Sequence, residues 1–224
     1  MSETADIDAV EAPDAEPAAL DEEVLERRDA ALAQVVKFGD PVLKSRASEV
    51  TDFDDSLRAD VERMIAIMRD GMGVGLAATQ LGVLRRVLVF QAGPDAQPTA
   101  LVNPEVEWLS DQLEIAEEGC LSLPRISVDV ERPLHVRFGG LDAGGNAVML
   151  EASGLEARVL QHELDHLDGV LILDRTSRDQ RKGALRALRE GGTFSPVTEA
   201  DEDPGGEDGS DGGDARPSPA AAEA

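Results

Sequence analysis

Residues 161 to 169 read Gln161-His162-Glu163-Leu164-Asp165-His166-Leu167-Asp168-Gly169. The stretch contains His-Glu-x-x-His on a segment whose spacing predicts a helix from Leu155 to about Leu167, closed by Gly169. Four residues are about one helical turn, so His162 and His166 project from one face and can bind a single metal ion, with Glu163 beside them as general base. The plain alternative is a helix with two solvated or core histidines; the chain has only three His in all. Followed backwards at about 100° per residue, Leu155, Val159, His162 and His166 share a stripe about 60° wide. An apolar wall therefore leads into the histidine pair. Leu155 and Val159 can serve as core, as pocket, or as both.

A catalytic metal normally keeps three protein ligands and one open position. His135 and Cys120 are the candidates for the third. His135 sits between Leu134 and Val136 in a predicted strand, where alternation turns it away from the apolar face, so it reads as a surface histidine. Cys120 is the only cysteine, which excludes an intramolecular disulfide. It lies in Glu117-Glu118-Gly119-Cys120-Leu121-Ser122-Leu123-Pro124, where the glycine allows close backbone approach to a ligand. A lone Cys is more often a small buried hydrophobe than a ligand, but beside the His pair it is the stronger choice.

The rest of the chain frames this helix. Leu57, Val61, Met64, Ile65 and Met68 recur at helical spacing between Thr51 and Arg69, before Gly71-Met72-Gly73-Val74-Gly75. A short strand is expected at Arg86 to Gln91, with further short extended runs around Val102, Val106, Trp108, Leu113 and Ile115, interrupted by Pro104. Leu134 to Phe138 and Ala147 to Glu151 flank the turn Asp142 to Asn146, as in a hairpin. An apolar run, Val170 to Leu173, precedes a last helix from Ser177 to Glu190. Strands and helices do not alternate regularly. The expected class is α+β, with small mixed or antiparallel sheets packed around a central helix that carries the His-Glu-x-x-His motif.

Length suits one domain, and a composition of 42% hydrophobic and 30% charged residues fits a globular chain. The formal charge of -25 is concentrated at the ends. Residues 1 to 26 hold ten Asp or Glu and no Lys or Arg, and residues 196 to 224 hold nine acidic residues and only Arg216. Both ends have too little apolar surface to offset the entropy of ordering, so they are expected to be disordered extensions around a catalytic domain at 27 to 195. The N-terminus lacks a secretory pattern and no apolar run could span a bilayer, which makes a soluble cytoplasmic enzyme the expectation. Strong negative charge argues against nucleic-acid binding by the whole protein, though not by a local basic face.

Three separated segments resemble the signature motifs of the peptide deformylase family, in order: Gly73-Val74-Gly75-Leu76-Ala77-Ala78-Thr79-Gln80, Glu118-Gly119-Cys120-Leu121-Ser122, and Gln161-His162-Glu163-Leu164-Asp165-His166. The similarity runs from about Ala33 to Arg175. It implies a divalent metal, ferrous iron in the family, held by Cys120, His162 and His166; the donor set by itself also suits zinc, cobalt or nickel. It further implies that water attacks the formyl group of N-formylmethionyl nascent peptides, with Glu163 moving the proton, and that Gln80 and the backbone N-H of Leu121 stabilise the formyl oxygen. By the same resemblance, backbone of Gly75 pairs with the substrate main chain, and Val74, Leu155 and Val159 line the methionine pocket. Glu118, Arg132 and Asp165 match positions of a charged shell behind the ligands; the alternative is three surface charges. Two departures stand out: the chain has no Tyr, and Arg125 to Glu131 match no substrate-contacting residues. Arg175, Arg178, Arg181, Lys182, Arg186 and Arg189 give the region of the last helix, 175 to 190, a local positive excess that could meet ribosomal RNA, or could be an ordinary solvated helix. The competing functions are a zinc peptidase, which would more often use His or Glu as third ligand, and a non-catalytic metal-binding protein, which would not need Glu163 and Gln80.

Overall fold

The run Val87-Leu88-Val89-Phe90 is apolar at every position, which suits a strand covered on both faces. In a computed structural model of the chain, which describes residues 21–93 and 96–196, all four residues are buried. They form β2 (Val87–Phe90) of a five-stranded antiparallel sheet with β1 (Gly75–Ala77), β3 (Thr99–Leu109), β6 (His135–Leu141) and β7 (Ala147–Ser153), in the order β1-β2-β3-β6-β7. The period of two then divides the core. Leu76, Val87, Val89 and Val102 pack with Leu57, Val61, Met64 and Met68 of helix α2 (Asp55–Asp70). Ala77, Leu88, Phe90 and Leu101 pack on the other face with Ala157, Val159, Leu160 and Leu167 of helix α3 (Gly154–Leu167).

A separate antiparallel hairpin is formed by β4 (Leu113–Cys120) and β5 (Leu123–Pro133). Ile126, Val128 and Val130 alternate along β5 and are buried. They meet Leu171 and, from α4 (Ile172–Arg175) and α5 (Arg178–Glu190), Ile172, Leu173, Ala184 and Ala187 in a third apolar cluster. Arg132 continues this inward series two residues beyond Val130. On β4, Glu118 stands opposite Val128 and shares its buried side. The hairpin thus carries two charged residues on the same face as its apolar ones.

The α+β class with antiparallel sheets agrees with the sequence reading, and the His-Glu-x-x-His residues fall on α3. The strands differ from it in length. β3 runs through Pro104, because the pairing with β6 is irregular between Val102 and Glu105; a bulge tolerates a residue that lacks an N-H. Asn103 takes a left-handed φ of 51° there, and its side chain bonds both backbone groups of Val50, at 2.8 and 2.9 Å. The segment Arg125 to Glu131 is interior to β5. The apolar run at 170–173 leads into the short helix α4, which takes up Ile172 and Leu173.

At the N-terminal side a helix, α1 (Glu22–Leu32), begins inside the segment expected to be an acidic extension. It buries Ala31 and brings Leu32 against the Gly71 turn. The rest of that expected extension, and residues 197–224, lie outside the described residues. Beyond α5, Phe194 bridges Ile126 in parallel, through Ser127 N-H to Phe194 C=O at 2.8 Å and Phe194 N-H to Arg125 C=O at 3.0 Å. Its ring lies over Gly183 of α5, where any Cβ would overlap it. Among the described residues, no helix is long and apolar enough to cross a membrane.

Candidate metal centre and active site

The chemistry-bearing side chains come from three places. Helix α3 presents His162, Glu163 and His166, with Val159 and Leu155 one and two turns before them. The tip of the hairpin presents Cys120, at the end of β4, followed by the tight link Leu121-Ser122 into β5. The third contributor is β1 with the single turn of 3-10 helix that follows it (Ala78–Leu81), which carries Gly75 and Gln80.

One ligand atom from each of Cys120, His162 and His166 lies within 4.8 Å of the other two. Cys120 Sγ is 3.1 Å from His166 Nε2, and the two imidazoles meet edge to face with centroids 4.9 Å apart. The Nδ1 atom of His162 is engaged by the Glu118 carboxylate at 3.0 Å, which orients the ring and leaves its Nε2 for the cluster. Burial pushes the Cys120 thiol up, but the neighbouring His166 and hydrogen bonds from both imidazoles outweigh it and hold the thiol well below its ordinary range. A thiolate with two imidazoles is a donor set for zinc, iron, cobalt or nickel. The set fits a single divalent ion. His135 lies outside this group; it is half-buried and its Nδ1 meets Ser153 Oγ at 2.8 Å.

Glu163 is 4% exposed, and one of its carboxylate oxygens, Oε2, is buried without a hydrogen-bond partner among the described residues. Buried carboxylates are rarely left so. Burial raises its pKa above the usual glutamate value, against the opposing pull of His162 and His166. The carboxylate rides against Gly75: a Cβ at that position would overlap it. At Gly119 a Cβ would meet only Ile126 C=O, at 3.8 Å. Among the described residues the steric need for glycine therefore falls at 75, not at 119.

The Gln80 amide is held at both ends. Its oxygen accepts from Ala77 N-H at 2.8 Å, which turns the nitrogen toward Cys120 Sγ (3.6 Å) and Ser122 Oγ (3.4 Å). Leu121 occupies the hairpin tip beside it, and its carbonyl accepts from Lys37 Nζ at 3.1 Å.

Behind the donors lies a buried charge network. Arg132 makes a two-pronged contact with Glu118 at 2.6 and 2.9 Å and reaches Asp165 at 2.9 Å. Arg175 closes on the same Asp165 at 2.5 and 3.1 Å. Arg158 adds a contact to Glu118 at 2.8 Å and bonds the carbonyls of Val130 and Glu114. Burial would raise the Glu118 pKa, but Arg132 and His162 lower it to about 2. The structure thus brings Glu118, Arg132 and Asp165 together. Arg158 and Ser122 were not singled out from sequence; an arginine one turn before His162, flanked by Ala157 and Val159, is the signal that could have pointed to the first.

A cleft of about 660 Å³ opens over Cys120, His162 and Glu163. Val74, Gly75, Leu155 and Val159 all border it. Val159 is nearly buried at 5% exposure and belongs to the core as well, whereas Leu155 at 57% and Val74 at 44% are free to cover an incoming group. Arg125, Ile126 and Ser127 of β5 also border the cleft, so the stretch that matched no contact residues forms part of its wall.

A protein-family model described as polypeptide deformylase matches residues 32–182. The chain belongs to this family. It is 46% identical over 167 residues to peptide deformylase 1 of Corynebacterium glutamicum, covering 74% of this chain and 99% of that one. Against the peptide deformylase of Acidothermus cellulolyticus it is 48% identical over 153 residues, 68% of this chain and 83% of that one. Among solved structures, the peptide deformylase of Thermotoga maritima matches with a TM-score of 0.62 at 47% identity, covering 64% of this chain and 96% of that one. The Synechococcus elongatus peptide deformylase in complex with actinonin matches with a TM-score of 0.66 at 38% identity, covering 73% and 91%. The deformylase family model leaves out nearly all of α1 and the Thr193–Ser195 segment, yet Arg28, Thr193, Phe194 and Ser195 all border the cleft.

Proposed function

We propose that this chain, as a metal-dependent hydrolase of the deformylase family, removes the formyl group from the N-terminal formylmethionine of new chains and releases formate. The observation that carries the reading is the convergence of Cys120, His162 and His166, the first two bordering the cleft, with the unpartnered carboxylate oxygen of Glu163 beside them.

In this reading Cys120, His162 and His166 hold one divalent ion, ferrous iron by the family resemblance. When bound, the ion supplies Lewis-acid chemistry, acidifying water and drawing charge from a carbonyl oxygen. Glu163 takes a proton from the attacking water and later gives it to the departing amine, a shuttle for which a carboxyl pushed upward by burial is suited. The Gln80 amide nitrogen and the Leu121 backbone N-H donate to the formyl oxygen as charge develops on it; the fixed orientation of Gln80 supports that part. Substrate main chain pairs with Gly75 at the outer edge of β1, and the methionine side chain packs on Val74, Leu155 and Val159. Glu118, Arg132 and Asp165 orient the ligands, with Arg158 as a further member. The catalytic unit spans residues 27 to 195 between two acidic extensions, and the enzyme works in the cytoplasm.

A ribosome contact through α5 also belongs to this reading, on a smaller face than the sequence suggested. Arg175 is taken by Asp165, and Arg181 by Asp174 and the Leu173 carbonyl. Arg178, Lys182, Arg186 and Arg189 remain exposed. Ribosome co-sedimentation that survives reversal of three of these charges removes the contact.

The central test is formate release from formyl-Met-Ala-Ser by protein purified without oxygen, beside Glu163→Ala. Release that vanishes in the variant is the expected result. No release from a folded, metal-loaded wild type overturns the function. Metal analysis showing zinc alone with full activity overturns iron.

A further inference from the structure

The mouth of the cleft carries more positive than negative side chains. Arg28 from α1, Lys37, and Arg125 from β5 border it, against Glu117 on the opposite side of the balance. The Glu117 carboxylate is occupied by the hydroxyls of Ser127 and Ser195. Lys37 is turned inward to the Leu121 carbonyl.

Arg28 is the member with a buried bonding group left open. Its Nε is buried and has no hydrogen-bond partner among the described residues. Glu22, Glu23, Glu26 and Asp29 share its helix, yet among the described residues none forms an ion pair with it. A buried guanidinium N-H without a partner is costly, and its fork geometry matches a carboxylate. Arg28 is also held in place. Four residues on, at the end of α1, a Leu32 methyl lies beside the Gly71 turn, where the Leu121 side chain also arrives. Arg125, with a left-handed φ of 63°, stands on the same cleft from the β5 side.

We infer that Arg28 is a specificity-determining residue: its guanidinium receives an acidic side chain of the formyl peptide just after the formylmethionine, with Arg125 adding attraction from β5. The inference rests on the deformylase reading and names a substrate class within it. Residues 22–31, Arg28 among them, precede the part matched by the family model.

The test uses full-length, metal-loaded enzyme and peptides amidated at the C-terminus, so that the side chain is their only carboxylate. The pairs are formyl-Met-Glu-Ser against formyl-Met-Lys-Ser, and formyl-Met-Ala-Glu against formyl-Met-Ala-Lys. Wild type is expected to favour the acidic member of at least one pair by about five- to tenfold in kcat/KM, carried by KM and weakened by salt. Arg28→Ala brings the ratio to about one, Arg28→Lys keeps part of it, and Arg28→Glu inverts it. Each ratio is taken within one preparation, so partial misfolding of a variant cancels. Equal ratios in wild type and Arg28→Ala, with formate released from every peptide, overturn the inference and leave the deformylase reading standing. No formate from any peptide with wild type overturns both.

Discussion

The Glu163 carboxylate lies directly against the Cα of Gly75, so closely that a methyl group on residue 75 would overlap it. Gly75 has no left-handed φ, so alanine there is tolerated by the backbone and opposed only by the side chain of Glu163. Gly75→Ala is expected to fold normally and to lower kcat for formate release by about 100-fold, the scale of a displacement near 1 Å at a reacting group. Unchanged metal content with reduced turnover identifies the cause as the displaced carboxylate. Full activity would show that Glu163 tolerates the shift.

Arg132 is shared by Glu118 and Asp165 at 4% exposure. Arg132→Met leaves two buried carboxylates short of their partner and is expected to cost about 3–5 kcal/mol of stability in urea unfolding. Glu118→Gln frees the Nδ1 side of His162 and is expected to weaken metal affinity by about 10- to 100-fold in a chelator competition. If Glu118→Gln leaves the affinity unchanged, the network is structural only.

Metal and fold should be linked, because the donors belong to two different pieces of the protein, the hairpin tip and α3. Removing the metal with a chelator is expected to lower Tm by about 5–10 °C when the ion had been present at about a hundred times its Kd. In Cys120→Ser the same chelator should produce little change. An equal drop in both proteins would place the stabilising ion elsewhere.

Asp174 accepts from Lys44, Arg181 and the Leu171 N-H. Burial raises its pKa, but these donors prevail and hold it below the usual aspartate value. A depressed folded-state pKa means stability that is present above the unfolded value near 3.9 and lost as pH falls through the folded one. Asp174→Asn should therefore be less stable than wild type by about 1 kcal/mol at pH 6, with the gap closing below about pH 4. A gap that stays constant with pH would mean that charge is not the source.

What could be read in the chain was whatever is periodic or local. The α3 stripe follows from a 3.6-residue repeat. The Asp142–Asn146 turn follows from an aspartate whose Oδ1 accepts from Gly144 and Asn146 N-H. The unread parts depend on contacts between distant segments. β1 is three residues long and exists only because β2 pairs with it. Pro104 signals a break unless a bulge absorbs it. Arg158 resembles a surface residue until Glu118 and two carbonyls of the hairpin surround it. The start of α1 at Glu22 was hidden by the acidity of its neighbours.

The shortness of β1 also limits what the enzyme can know about its substrates. The strand lies at one end of the sheet order, and three residues of extended chain span about 10 Å. If substrate pairs with this edge as proposed, an edge of that length holds the beginning of a chain and nothing further along. The sequence beyond the first few residues of a new protein is then invisible to the active site, which makes one catalyst serviceable for a whole proteome and leaves selectivity to whatever stands at the rim.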